Sequence, residues 1–336
     1  MTFIIIFLSV IIIPIGVLFL YLTITEYKPK DMEDAIIYRK TKDLDWKTNL
    51  TVTTFNIGYA GLDKSRQKTS NEIKLSKHFK REKAFDNLIS LTNTIKSIDS
   101  DFFLLQEVDH DSARSSNTNQ IENISQDLKE YNSSFAYNYN SKYVPFPINN
   151  PVGGTHSGLL NLSKYKFLKS TRYHLEGQET YPKSIFFLKR CMLINEYQLP
   201  KDKKLYIINT HFSSYDKDNL FRTKQFEDML GYISSLAESK DNYIVVGGDF
   251  NYLMDEKKYT PETPSWLMTF PESLKESEFV PVFDSKVNTM KGSDDLEFTI
   301  DGFIVSKNIG VVKCKTLNEG FELSNHNPVS LTFKLK

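Results

Sequence analysis

The sequence predicts an α/β domain in which β-sheets are covered by helices, preceded by one membrane-spanning helix. Three observations predict it. Short apolar, β-branched runs recur along most of the chain, two longer segments carry apolar residues at helical spacing, and the amino terminus is apolar and uncharged. The first segment, "MTFIIIFLSVIIIPIGVLFLYLTIT", runs 25 residues before the first charge at Glu26. That satisfies the ~20 apolar residues needed to cross a ~30 Å hydrocarbon core. It lacks the basic start and small-x-small cleavage site of a signal peptide, so residues 1–25 are expected to be a single-pass anchor. Lys28, Lys30, Arg39, Lys40 and Lys42 follow the span and no basic residue precedes it, which leans toward a cytoplasmic domain. Asp31, Glu33 and Asp34 share that flank, so the side stays open. Residues 26–48 are polar and without period and are expected to be a linker, and residues 49–336 one catalytic domain.

Within that domain, "NLTVTTFN" predicts a strand, residues 72–97 an amphipathic helix, and "DFFLLQE" a buried strand. Residues 109–150 are rich in Asn, Ser and Tyr and predict long loops with one short helix at "IENISQDLKEY". "SGLLNLS", "RCMLINEYQL" and "KLYIINTH" follow as strands. "NLFRTKQFEDMLGYISSLAES" predicts a second long helix, and "YIVVGGDFN", "FTIDGFIVS" and "PVSLTFKL" the remaining strands.

Lysine plus arginine equals aspartate plus glutamate, 42 against 42, so no strong basic field points to a nucleic-acid partner. Cys191 and Cys314 are too few for a disulfide framework and lack zinc-site spacing. There is no Walker motif, serine elbow or HExxH helix.

The chemistry-bearing residues fall at strand ends. "TVTTF" leads to Asn56, "DFFLLQ" to Glu107, "LYIINT" to His211, and "YIVVGG" to Asp249 and Asn251. Singly, each has a structural explanation as a turn former, a solvated charge or a bonded loop histidine. In an extended segment, Asp249 and Asn251 would point the same way while Phe250 enters the core, and the preceding glycines would allow a turn and close approach. Asp301 interrupts an apolar strand, where a lone acid is costly, and His326 in "LSNHNPVSL" is its natural partner.

Taken together, "TFNIG", "LLQEVD", "HSGLLNLSK", "INTHFSSYD", "VVGGDFN", "IDGFIVS" and "SNHNPVSL" resemble, in order and spacing, the endonuclease/exonuclease/phosphatase superfamily over about residues 50–336. The superfamily includes deoxyribonuclease I and the neutral sphingomyelinases. The resemblance implies a four-layer α/β sandwich, two packed and mostly antiparallel sheets flanked by helices, with Mg²⁺- or Mn²⁺-dependent phosphoester cleavage. It implies Glu107 as principal metal ligand with Asn56 beside it, and Asp249 as the residue that orients or deprotonates water. Asn251 and His211 would hold the phosphate, and His326 would be set by Asp301. His156 and Arg190 would also reach the phosphate. The family usually writes aspartate where this chain has Asn325, which removes a charge near the metal. The expected function is a membrane-anchored, Mg²⁺-dependent phosphoesterase hydrolysing a phosphodiester or phosphomonoester by metal-assisted attack of water, on a substrate at or near a bilayer such as a phospholipid headgroup. The alternatives are a DNA or RNA endonuclease and a non-catalytic phosphate-binding relative. No protein partner is implied.

Overall fold

The structure is a computed structural model describing residues 2–39, 46–64, 81–214, 219–292 and 295–336. Helix α1 covers Thr2–Ile24, with Pro14 inside it. Its described side chains begin at Val10, and among the described residues no helix is long and apolar enough to cross a membrane.

Fourteen strands make two seven-stranded sheets. In chain order they are β1 (Met32–Asp34), β2 (Ile36–Arg39), β3 (Leu50–Asn56), β4 (Phe102–Asp109), β5 (Asn132–Val144), β6 (Gly153–Ser163) and β7 (Lys169–His174). The second half supplies β8 (Cys191–Gln198), β9 (Lys204–His211), β10 (Asn242–Asp249), β11 (Phe279–Val282), β12 (Asp301–Ser306), β13 (Ile309–Thr316) and β14 (Val329–Leu335). One sheet runs β13-β14-β3-β4-β6-β5-β2 and the other β1-β7-β8-β9-β10-β12-β11. Each has one parallel pair at its centre, β3 with β4 and β9 with β10; the other pairs are antiparallel. A parallel pair needs a crossover. Helix α2 (Arg81–Ile98) lies in the first, and after α3 (Gln120–Asp127), helix α4 (Leu220–Ala237) lies in the second.

The run "DFFLLQ" shows why the layers form. Phe102 and Leu104 face the opposite sheet, where they meet Tyr197, Leu205, Ile207, Val245 and Phe303. Phe103 and Leu105 face outward onto Leu88, Leu91, Ile121 and Ile124 of α2 and α3. Both faces of this strand are therefore covered, and its sequence is apolar throughout instead of alternating. On the far side, Ile208, Ile244 and Val246 pack against Phe226, Met229 and Ile233 of α4. The order is helix, sheet, sheet, helix, as the family resemblance implies.

Three expectations need correction. Of the expected linker 26–48, the described residues 26–39 are not one, for β1 pairs with β7 and β2 with β5, so they cap one edge of each sheet. Glu26 is fixed as well, accepting bonds from Ser184 Oγ at 2.7 Å and Lys189 Nζ at 2.9 Å. The expected loop over residues 109–150 contains the 13-residue strand β5. Its Asn and Ser side chains find buried partners, Asn132 on the carbonyls of Ser163 and Tyr165, and Ser134 on Asn195. Tertiary pairing thus overrides low strand propensity. Finally, the glycines before Asp249 do not make a turn. Both lie inside β10, where a Cβ on Gly247 would meet Leu104 of the facing sheet at 2.7 Å and one on Gly248 would meet the Thr210 carbonyl at 2.0 Å. The helix expected over 72–97 is described as α2 only from Arg81; its earlier part lies outside the described residues.

Candidate active site

The two parallel pairs bring their carboxyl-terminal ends to one edge of the sandwich. In one sheet the register sets His211, Asp249 and Asp301 side by side across β9, β10 and β12. In the other, Asn56 ends β3 beside Gln106 of β4. Paired residues project to the same face, so distant sequence positions converge.

The sheets are pinned together just inside this edge. Gln106 Nε2 donates to Asn209 Oδ1 at 2.8 Å, and Asn209 Nδ2 donates to the Leu105 carbonyl at 3.0 Å. Next to it, Glu107 occupies a bulge in the β4–β6 ladder with φ +55°, a left-handed conformation uncommon for a non-glycine residue. Asn56 then bridges the halves: its Nδ2 is 3.3 Å from Glu107 Oε1 and 3.1 Å from Asp249 Oδ2, while its Oδ1 accepts from the Gly58 amide at 3.0 Å. As oriented, Asn56 turns its amino group toward the carboxylates. In this orientation it stands as a spacer between the two acids, beside Glu107 as the family resemblance implies.

Asp301 Oδ2 lies 2.9 Å from His326 Nδ1, and His326 Nε2 lies 3.8 Å from Asp249 Oδ2. The carboxylate sought for His326 is therefore across the fold, not next to it in sequence. His211 Nε2 approaches the same Asp249 oxygen at 3.4 Å. Asp249, His211, Asp301 and His326 are all buried. Burial, with Arg190 and His326 nearby, holds His211 well below the usual histidine range. Burial would lower His326 too, but Asp301, Asp249 and Glu107 outweigh it and push His326 up to about 9. Burial and the neighbouring Asp301 raise Asp249 to about 7. One neutral and one charged imidazole therefore face one carboxyl group, a separation of protonation states typical of acid–base sites.

Asp249 and Asn251 are neighbours, but not through strand alternation. The strand stops at Asp249, Asn251 takes φ +52°, and its amide donates to Asp249 Oδ1 at 3.0 Å, an Asx-type turn. Asn251 Nδ2 is held on the Phe212 carbonyl at 2.9 Å. Arg190 is buried on the same side, in the field of Glu107 and Asp249, with Nε and Nη1 lacking hydrogen-bond partners; burial lowers it to about 10. It lines a cavity of about 230 Å³ with Gln178, Phe187, Leu188, Ser213 and Phe221. His156 stands apart. Its Nδ1 bonds Asn140 Oδ1 at 2.8 Å, and its charged neighbours are Lys142, Asp111, His110 and Asp109.

Some supporting residues escaped the sequence reading. Thr289 Oγ1 accepts from the amides of Ile300 and Asp301, fixing the start of β12. Ser324 Oγ donates to the Asn56 carbonyl at 2.7 Å and accepts from the His326 amide, tying the two ends of the chain together at the site. Arg222 donates to the carbonyls of Asn251 and Trp266. Arg222 shares the buried stripe of α4 with Gln225, Phe226 and Met229. A cation on an otherwise covered helix face was a legible signal that it had an internal task.

The residues fit a divalent cation. Asp249, Asp301 and His326 each offer a ligand atom, all within 4.8 Å of one another. Asp301 and His326 spend one such atom each on their mutual bond, and both oxygens of Asp249 accept from Asn251 and Asn56, so Glu107, held by Asn56 at one oxygen, is the better hard-oxygen donor. Asp301 Oδ1 and Asn325 Oδ1 are buried acceptors with no partner, whereas Arg190 supplies unpartnered donors. Cation and anion are thus both provided for.

Two packed seven-stranded sheets carry an acid, amide and imidazole cluster at their shared edge. The chain belongs to the Endonuclease/Exonuclease/phosphatase family, whose model matches residues 53–319. No curated protein matches its sequence. Among solved structures it is similar to an endonuclease/exonuclease/phosphatase from Beutenbergia cavernae, with 18% identity, 86% of this chain and 72% of that chain covered, and a TM-score of 0.61. The human Nocturnin catalytic domain with bound sulfate gives 16%, 86%, 94% and 0.57 in the same order. D. rerio TDP2 complexed with single-strand DNA product gives 14%, 86%, 100% and 0.55. At these identities the likeness is one of fold.

Proposed function

We propose that this chain is a membrane-anchored phosphoesterase that hydrolyses a phosphodiester, or a phosphomonoester, by attack of water, with Mg²⁺ or Mn²⁺ held at Glu107. The observation that carries this reading is the joining of Asn56, Glu107, His211, Asp249, Asp301 and His326 in one cluster drawn from both sheets. Glu107 would hold the cation, which would supply charge neutralisation on phosphoryl oxygens. Asp249 takes the proton of the attacking water, and its position between two imidazoles and Asn56 orients that water. As the water oxygen bonds to phosphorus, the P–O bond to the leaving group breaks; His326, held by Asp301, donates a hydrogen bond from Nε2 to a phosphoryl oxygen as charge grows there, and the departing oxygen takes its proton from solvent. Neutral His211, Asn251 and Arg190 complete the phosphate cradle, and His156 serves further out along the β6 edge.

The anchor is supported by 25 uncharged residues and by helix α1, whose described apolar side chains are mostly exposed. The basic residues after the span lean toward the cytoplasmic side, while Asp31, Glu33 and Asp34 in the same flank leave the side open. A lipid headgroup is the favoured substrate because the chain has no net basic charge. The structure of D. rerio TDP2 with single-strand DNA product keeps a nuclease as the second reading.

The test is an assay of the full chain in detergent micelles with Mg²⁺ against bis-nitrophenyl phosphate, plasmid DNA and choline phospholipids. His326→Ala and Asp249→Asn should each lower turnover by roughly 10²–10⁴-fold. No metal-dependent hydrolysis of any substrate, with the variants equal to the parent, would leave only a phosphate-binding relative. Preference within the panel separates lipid phosphodiesterase from nuclease.

A further inference from the structure

We propose that residues 145–152 and 180–189 form a lipid-facing rim that seats the site mouth in the bilayer surface, so that the substrate is a phosphodiester carried on a membrane lipid; this rests on the anchored reading of α1. The first segment joins β5 to β6 and the second precedes β8. Each exposes large apolar groups, with Ile148 84% and Phe146 55% accessible on one, and Tyr181 57% and Phe187 47% on the other. Isolated exposed apolar residues need no explanation, but grouped ones mark a contact surface.

These are grouped. The Phe146 and Phe186 rings meet at 6.1 Å, Tyr139 Oη donates to the Phe186 carbonyl, and Ser141 Oγ donates to the Ile185 carbonyl. The Phe146 tip is itself braced, since its carbonyl accepts from the Val152 amide at 3.0 Å. Exposed Lys183 stands in the second segment, beside Glu179 at 3.9 Å, and exposed Lys142 lies in β5 shortly before the first. Apolar tips flanked by lysines suit an anionic lipid surface.

What selects lipid over another occupant is the end of α1. Phe19 packs its ring 6.3 Å from that of Tyr181, Leu22 is buried, and Glu26 is clamped by Ser184 and Lys189 of the second segment. Whatever medium surrounds the apolar side chains of Val10–Ile24 therefore also reaches the rim. On its inner side, Phe187 and Leu188 line the same cavity as Arg190, whose guanidinium lies in the field of Glu107 and Asp249. A lipid-borne phosphate could reach Arg190 while its acyl chains stay in the bilayer.

The full chain is reconstituted into phosphatidylcholine–phosphatidylglycerol vesicles with plain or brominated acyl chains. Flotation reads the anchor. Ile148→Trp reads the rim: its emission beyond that of the parent, which has Trp46 and Trp266, should shift blue and be mostly lost in brominated vesicles. The pair Phe146→Ser with Ile148→Ser should lower hydrolysis of vesicle-borne phosphodiester about tenfold while leaving bis-nitrophenyl phosphate unchanged. A chain that floats without added quenching overturns the rim and leaves the anchor. A chain that does not float overturns both. A blue shift that needs no lipid and tracks dimer formation assigns the surface to a second copy instead. Quenching without hydrolysis of any substrate upholds the rim and removes the catalytic reading.

Discussion

Asn325 is the residue where this site departs from its family's usual pattern, and the structure gives that departure a physical form. Its Oδ1 is buried without a partner, and its backbone carbonyl accepts from the Lys291 amide. Asn325→Asp should lower the Mg²⁺ concentration for half-maximal activity by about tenfold, or ~1.4 kcal/mol; an unchanged metal titration would place this side chain away from the ion. His326 makes a second residue-scale expectation. Its pKa is raised above the ordinary 6.5 to about 9, so protonated His326 contributes stability that is full below pH 6.5 and lost as pH rises through about 9. Urea unfolding of the metal-free protein should show the gap between parent and His326→Gln shrinking across that window. A gap that widens with pH would mean that Asp301 does not hold a charged imidazole.

At the scale of elements, the central strands do two jobs that their sequences show unequally. Apolar runs in β4 and β10 were legible as buried strands, and their terminal acids as candidates for chemistry. The glycines of β10 were legible as special, but not for the right reason. Gly248 lies flat against the Thr210 carbonyl, which lets β9 and β10 pair closely and holds His211 beside Asp249. Gly248→Ala should cost ~2 kcal/mol or more through overpacking, read by urea denaturation, with loss of activity in whatever fraction remains folded. β5 and β13 were not legible, for different reasons. β5 is rich in polar side chains that only the neighbouring strands satisfy. β13 is an edge strand with much of its surface exposed, so burial never shaped its sequence into a strong pattern.

For the whole molecule, the segment after the apolar amino terminus matters more than its composition suggests. By covering the open edges of β7 and β5, β1 and β2 close one side of both sheets and join α1 to the sandwich without a stalk. Deleting residues 26–39 should expose two unpaired strand edges and drive concentration-dependent association, measurable by light scattering of the detergent-solubilised chain. A variant that stays dispersed and equally stable would show that these strands are dispensable.

The sequence by itself pointed to most of the acids and imidazoles that the structure gathers, because Asn56, Glu107, His211 and Asp249 close apolar runs and Asp301 interrupts one; His156, which stands apart, and the supporting Thr289, Ser324 and Arg222 were not placed by it. It also determined the uncharged amino terminus and the order of the main strands. Only the tertiary structure decided how those residues meet. Asp301 finds His326 across 25 positions, Asn56 spaces Glu107 from Asp249 across two sheets, and Ser324 closes the chain back onto Asn56. These are contacts between strand ends brought together by sheet register, and register is a property of paired strands that no single strand carries.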